Sequence, residues 1–520
     1  MKKFYTILLL VVIIFSIPFS CKDITSLESL FPLTPANIDA NAGTWKPIVL
    51  TTNNQIGVPA PTVVTSDAYK AELASIKDIQ SKLTKDQRNI IAYWSVGGVL
   101  RWNQFFRKLV AQFNLPPVSN ADGSYSFADS ENPFSNPQFP FSNPPYAARA
   151  YSYVSVAIYD ALKAAWYYKD FYKAIRPNSP YEVDNTIQSL MPEVELPPYP
   201  SEEATMSGAA AEMLKVLFPV AVEEITKMAA DQRNAALWSG KATASDITAG
   251  LNLGKSVASF ITAAGTGRFR TDGMGAAIGT PALLKSLADD AILRGETPWI
   301  SLDVPPRPPM LPFFGKVKPW NLSTAQIVAE RPLPPPSTSS AEMAKEVEEV
   351  KLFSHNPTRE QIAIVHKWAD GASTYTPPGH WNDIAEEYIR DAKFSEVRAA
   401  RAFAMLNMAI HDAGVACWDT KYFYFNPRPT QLDASIKTTT GIPNFPAYVS
   451  GHSTFSASAA SVLSYLFPSN ATDFNAMADE ASNSRLYGAI HYRSDCKEGL
   501  NLGKRIAIYT LNFAQTDGAN

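Results

Sequence analysis

Three short segments near the C-terminus bring cationic, hydroxyl and imidazole side chains together at fixed spacing. The first is Lys421, six residues, then Arg428-Pro429. The second is Ser450-Gly451-His452, preceded by the proline-containing loop PNFPAYV. The third is Ser484-Arg485, five residues, His491, three residues, Asp495. This set of groups suits an oxyanion of phosphate type. Lys421, Arg428 and Arg485 supply fixed positive charge and N–H forks for three equatorial oxygens. Ser450 and the Gly451 amide add donors at the start of a helix, where backbone N–H groups point outward. Two histidines remain for opposite ends of an in-line displacement, one as nucleophile and one as acid. Asp495 lies four residues after His491, so on a helix it faces the same way and can hold one tautomer by accepting from Nδ1.

The elements that position these groups can be read from the rest of the chain. Its 520 residues are 46% hydrophobic and 18% charged, enough for a sizeable core in one large domain or two to three ordinary ones. A net charge of −3 gives no basic field for nucleic acid. Three cysteines exclude a disulfide scaffold or a Cys-rich zinc module. All six histidines fall after residue 354, so imidazole chemistry belongs to the last third.

The chain also repeats itself. ARAYSYVSVAIYDALKAAWYYKDFYKAIRP (148–177) lies over ARAFAMLNMAIHDAGVACWDTKYFYFNPRP (400–429) without a gap, and further collinear matches follow, such as SDITAGLNLGK over SDCKEGLNLGK. The units run roughly 84–262 and 358–513. Ala, Leu and Met at spacings of three and four, with little alternation, predict helices throughout. The expected fold is all-α: two packed helical bundles from an internal duplication. Residues 263–357, rich in proline (VPPRPPMLPFF, RPLPPPS), join them as an ordered strap. Residues 21–83 are expected to be extended, 84–262 to form a degenerate first bundle, and 358–520 to form the catalytic bundle. The first copy keeps Lys169, Arg176-Pro177 and Asp246, but Ala236 and Ala242 stand where the second has Arg485 and His491. Its loop is three residues longer, with Glu202-Glu203 near the Ser-Gly-His position, which makes that unit a scaffold.

The three segments resemble the signature of the type 2 phosphatidic acid phosphatase, bacterial acid phosphatase and vanadium haloperoxidase superfamily: Lys-x6-Arg-Pro, Pro-Ser-Gly-His, Ser-Arg-x5-His-x3-Asp. One departure occurs, Val449 for the proline of the second segment. The resemblance implies that His491 is the phosphorylated nucleophile of a phosphatase or the vanadate ligand of a haloperoxidase. It makes His452 the general acid–base group, and Lys421, Arg428, Ser450, Gly451 and Arg485 the oxyanion contacts. The duplicated bundle, FFGKVKPW (313–320) and YTPPGHWND resemble the larger, soluble haloperoxidase-like proteins. The favoured expectation is a vanadate-dependent enzyme using halide and hydrogen peroxide. A cofactor-free phosphatase acting on a phosphomonoester and a non-catalytic phosphate-binding lipoprotein stay open.

The other histidines carry less. His411-Asp412 matches Tyr159-Asp160 of the first copy and reads as a helix-packing pair, and His355 and His366 have no partner at metal-ligand spacing. His380 is placed in a loop beside Trp381, where a packing role is favoured over lining an entrance. At the N-terminus, Lys2 and Lys3 precede an apolar run to Phe19, then Ser20-Cys21. Residues 1–20 read as an export signal and Cys21 as the lipid-bearing residue of an outer-membrane lipoprotein, periplasmic or surface-exposed, touching membrane only through that anchor. Cys417 and Cys496 are either a disulfide or buried free thiols.

Overall fold

Most helices here begin at a hydroxyl or amide cap that satisfies an otherwise unpaired N–H. The computed structural model describes residues 30–115, 119–125, 143–177 and 186–519; residues 1–20, expected to be an export signal, and Cys21 lie outside the described residues. The first unit holds α1 (Asp67–Ser81), α2 (Lys85–Trp94), α3 (Gly98–Phe113), α4 (Pro144–Tyr172), α5 (Glu202–Leu217), α6 (Val222–Trp238) and α7 (Ala244–Thr262). The connecting chain contributes α8 (Pro281–Leu293) and α9 (Thr324–Ala329). The second unit holds α10 (Ala341–His355), α11 (Arg359–Lys367), α12 (Thr376–Asp391), α13 (Glu396–Tyr424), α14 (Gly451–Leu466), α15 (Ala471–Tyr487) and α16 (Arg493–Ala514). No strand occurs among the described residues.

The seven helices named in each unit correspond in order. α4 and α13 are each 29 residues long and end on an αL residue, Lys173 and Phe425. The capping box Thr84–Gln87 of α2 returns as Thr358–Gln361 of α11. The correspondence begins earlier than the sequence matches suggest: Ser66 caps α1 and Ser340 caps α10, each helix 15 residues long. Two boundaries are corrected accordingly. The segment 21–83 is not extended throughout, and 263–357 ends in a helix of the second unit. α1 and α10 share almost no residues, because each needs only a cap and an apolar stripe against α6 or α15.

Buried along most of their length, α4 and α13 pack on one another and form the centre. A buried amide chain crosses it: Asn103 Nδ2 donates to Asn382 Oδ1 (2.8 Å), Asn382 Nδ2 to Asn407 Oδ1 (2.7 Å), and Asn407 Nδ2 to Ser155 Oγ (2.9 Å). Asp160 accepts the N–H groups of Ile48, Val49 and Leu50, and Asp412 those of Trp320 and Asn321. These paired aspartates pin a flanking strap to each long helix, which accounts for their presence in both copies. His411, buried beside Asp412 and edge-on to Phe314, is a packing residue as expected.

Candidate functional site

The glycines of GLNLGK set the site's frame. A Cβ at Gly499 would press on the Ser450 carbonyl at 2.8 Å, and one at Gly503 would collide with the Thr454 carbonyl. Glycine thus lets α16 lie against the start of α14, and the Ser450 N–H donates to the Asp495 carbonyl at 2.9 Å. Asp495, in the first turn of α16, accepts the Tyr492 N–H at 3.1 Å and faces His491 Nδ1 at 2.8 Å. The tautomer this favours carries its proton on Nδ1 and leaves Nε2 free to meet a ligand. Arg428 Nη1 stands 3.0 Å from that Nε2 and donates to the Ile490 carbonyl at 2.8 Å, while its Nε donates to Phe445 O at 2.9 Å.

The three cations converge under burial. Lys421, one turn from the end of α13, donates to the carbonyls of Pro446 and Ala447, both at 2.9 Å. Arg485 donates to the Trp368 carbonyl at 2.9 Å and to Ser484 Oγ at 2.9 Å. Lys421, Arg428 and Arg485 are at most 3% exposed. Ser450 caps α14, and its hydroxyl accepts from Ser453 N at 3.4 Å. Burial brings both guanidinium groups down to about 10, partly offset by Asp495 for Arg428 and by Asp370 for Arg485, so both stay charged at neutral pH. Burial depresses Lys421 and raises Asp495. Burial and the neighbouring arginines hold His491 and His452 well below the usual imidazole value, so both are neutral without a ligand.

His452, in the first turn of α14, faces a cavity of about 500 Å³ whose wall also includes Arg485, Asp370, Phe445 and Met310. Its Nε2 is buried without a hydrogen-bond partner, as is Arg428 Nη2. Unpaired buried polar atoms are costly, and these two lie among groups that would each meet an oxygen of a bound anion, the imidazole nitrogen once it is protonated. All eight site residues expected from the sequence are therefore present in one assembly: His491 and Asp495, the three cations, Ser450 and Gly451 at the α14 N-terminus, and His452 above them.

Asp370 is a residue that sequence reasoning missed. Its Oδ1 lies 3.1 Å from His380 Nδ1 and its Oδ2 3.9 Å from His452 Nε2. It has φ +45° in a loop held from the first unit, where Asn114 Nδ2 donates to Gly371 O (2.9 Å) and Thr374 O (3.0 Å). The Asp-Gly pair of WADG (368–371) was the available signal. His380 itself is corrected: it lies within α12, stacked on Trp368 at 4.4 Å, behind Asp370. Pro377 and Pro378 near the helix start permit helix where a loop was expected. His355 and His366 are exposed, and Cys417 and Cys496 are buried free thiols. No helix among the described residues is long and apolar enough to cross a membrane.

Residues 401–519 match the family model of the PAP2 superfamily. The structure is similar to that of a bacterial vanadium-dependent iodoperoxidase, with 23% identity and a TM-score of 0.53, over 71% of this chain and 91% of that one. It is also similar to a bacterial vanadium-dependent chloroperoxidase in its holo form, with 12% identity and a TM-score of 0.49, over 79% of this chain and 100% of that one. No curated protein matches the sequence. The superfamily resemblance read from the three segments accords with the family-model match, and the all-helical fold with the iodoperoxidase likeness.

Proposed function

We propose that the second bundle is an enzyme site for a phosphate-type oxyanion and works as a vanadium-dependent haloperoxidase. The observation that carries this reading is His491: its Nδ1 is held by Asp495, and its unprotonated Nε2 accepts from Arg428 Nη1 at 3.0 Å. The donor set fits vanadate, since Arg428 Nη2 and His452 Nε2 are buried and unpaired. Lys421, Arg428, Arg485, Ser450 and the Gly451 N–H would hold its oxygens, and His491 would ligate it. Vanadate, when bound, supplies a Lewis-acidic centre that activates hydrogen peroxide for attack by halide. The chain's own part is to keep His491 in one tautomer, to neutralise the anion's charge with buried cations, and to move protons through His452. The iodoperoxidase likeness supports the same reading at the level of fold.

The cavity supports a second reading. About 500 Å³ beside His452 is room for an organic group, as a phosphomonoester would bring. In that case His491 Nε2 attacks phosphorus and His452 protonates the departing alkoxide. Water then hydrolyses the phosphohistidine. A paired assay decides, using residues 22–520 with His491→Ala as control. Halide oxidation that needs vanadate and peroxide and disappears in the variant carries the first reading. Hydrolysis of an aryl phosphate that vanadate inhibits and the variant lacks carries the second. Vanadate binding without either turnover would leave an anion-capture protein.

Export and lipidation at Cys21 belong to the same proposal, supported by the basic start and apolar run that precede it. Metabolic labelling with an alkyne fatty acid tests it: label on the wild type and none on Cys21→Ala is expected.

A further inference from the structure

The first bundle repeats the frame of the site with different groups in its middle. Arg176 Nη1 donates to the Lys241 carbonyl at 3.2 Å, as Arg428 Nη1 does to Ile490. Lys169 Nζ donates to the Pro197 carbonyl, as Lys421 does to Pro446. Asp246 Oδ2 accepts the Thr243 N–H at 2.8 Å, as Asp495 accepts that of Tyr492. Ser201 caps α5 as Ser450 caps α14, so Glu202 and Glu203 stand in the places of Gly451 and His452.

Those two glutamates turn inward. Glu202 Oε2 is 2.6 Å from Lys169 Nζ and its Oε1 is 3.0 Å from Lys241 Nζ; Glu203 also pairs with Lys241. Both carboxylates are less than a tenth exposed. Buried anions are tolerated only when paired, and here each meets a lysine at the N-terminus of a helix, where negative charge is favoured. Arg176 retains two buried donor atoms, Nε and Nη2, with no partner, much as Arg428 retains Nη2. The lysine that in the second bundle faces a ligand site faces a side-chain carboxylate here.

We propose that the first bundle contains a second oxyanion site, filled by the carboxylate of Glu202, and that it takes inorganic phosphate once this carboxylate is removed. A carboxylate held in place by its own helix meets the lysines without the entropy cost that a free ion pays, so the site is closed in the native chain. Its role there is mechanical: it gives the first bundle the rigidity of a liganded cradle without dependence on a ligand. That bundle in turn holds the Asp370 loop through Asn114.

The test is calorimetric titration of the full chain with inorganic phosphate, comparing wild type with Glu202→Gly, which installs the residue found at the matching position 451. The expected result is one more equivalent bound in the variant than in the wild type. The variant should also melt lower than the wild type and regain most of that loss in millimolar phosphate. Adding Lys169→Met should abolish the extra equivalent. If Glu202→Gly does not fold, Glu202→Ala also empties the cradle and is read by a phosphate-dependent rise in Tm larger than that of the wild type. An unchanged stoichiometry in the folded glycine variant, or a rise in the alanine variant no larger than the wild type's, overturns the proposal. A wild type that binds no phosphate beside a variant that binds one equivalent would sink the function proposed for the second bundle and leave this site standing.

Discussion

His491 Nδ1 and Asp495 Oδ2 are 2.8 Å apart, and the same oxygen accepts the Tyr492 N–H that opens α16. One carboxylate therefore caps a helix and orients an imidazole, so the ring's direction is set by the helix itself. Asp495→Asn should remove the charge and keep the geometry. The amide oxygen can keep both the cap and the contact to Nδ1, but it no longer supplies the negative charge that stabilises the imidazole when it gains positive charge. The expected result is a fall in kcat of about 10²–10⁴-fold with an unchanged fold, by analogy with carboxylates that orient catalytic histidines elsewhere. Steady-state kinetics with phosphate or vanadate affinity measured in parallel checks it; comparable losses in affinity and kcat would assign Asp495 to binding instead.

Anion binding should be linked to proton uptake. His491, His452 and Lys421 are all depressed in the ligand-free site, and Asp495 is raised by burial. A bound anion raises every one of these values, so each group can only gain protons on binding. Affinity should therefore strengthen as pH falls from about 8 toward the depressed imidazole values, and weaken as pH rises. Sulfate, which does not titrate in that window, is the clean probe. Calorimetry in two buffers of different ionisation enthalpy should report net proton uptake; net release would contradict this electrostatic account.

How much of this was legible beforehand depended on whether residues act locally. Lys421, Arg428, Ser450, His452, Arg485, His491 and Asp495 sit at fixed spacings on or beside helix ends, so the sequence displays their relationship directly. The long helices were legible because three- and four-residue spacing of Ala, Leu and Met leaves little alternative. Asp370 was hidden because its approach to His452 depends on an αL turn clamped by Asn114, some 250 residues earlier in the chain. α1 and α10 were hidden because a solvated helix needs a cap and a stripe but no particular residues. Glu202 and Glu203 were seen near the right place, yet their pairing with Lys241 required knowing that its side chain turns toward α5.

The joint between the units should be sensitive to Arg107. From α3 it forms ion pairs with Asp383 and Glu386 of α12, and its side chain is 6% exposed. Arg107→Ala strands the buried Glu386 carboxylate and should cost about 3–5 kcal/mol, read from a denaturant midpoint. Arg107→Met with Glu386→Leu replaces the pair by apolar packing and should recover most of that loss, since Asp383 stays solvated. A single variant within 1 kcal/mol of wild type would show that the joint does not depend on this pair.

His452 separates the two chemistries most cleanly, because its Nε2 faces the cavity with no partner other than Asp370 at 3.9 Å. If the bundle hydrolyses phosphomonoesters, His452 is needed only to protonate the leaving oxygen. His452→Ala should then lose about 10²–10⁴-fold in kcat on an alkyl phosphate but far less on a nitrophenyl phosphate, whose leaving group departs unprotonated. A haloperoxidase makes no such distinction, and its variant should instead lose halide oxidation at every halide concentration. An equal loss on both phosphate esters would remove His452 from the role of acid and return it to holding the anion.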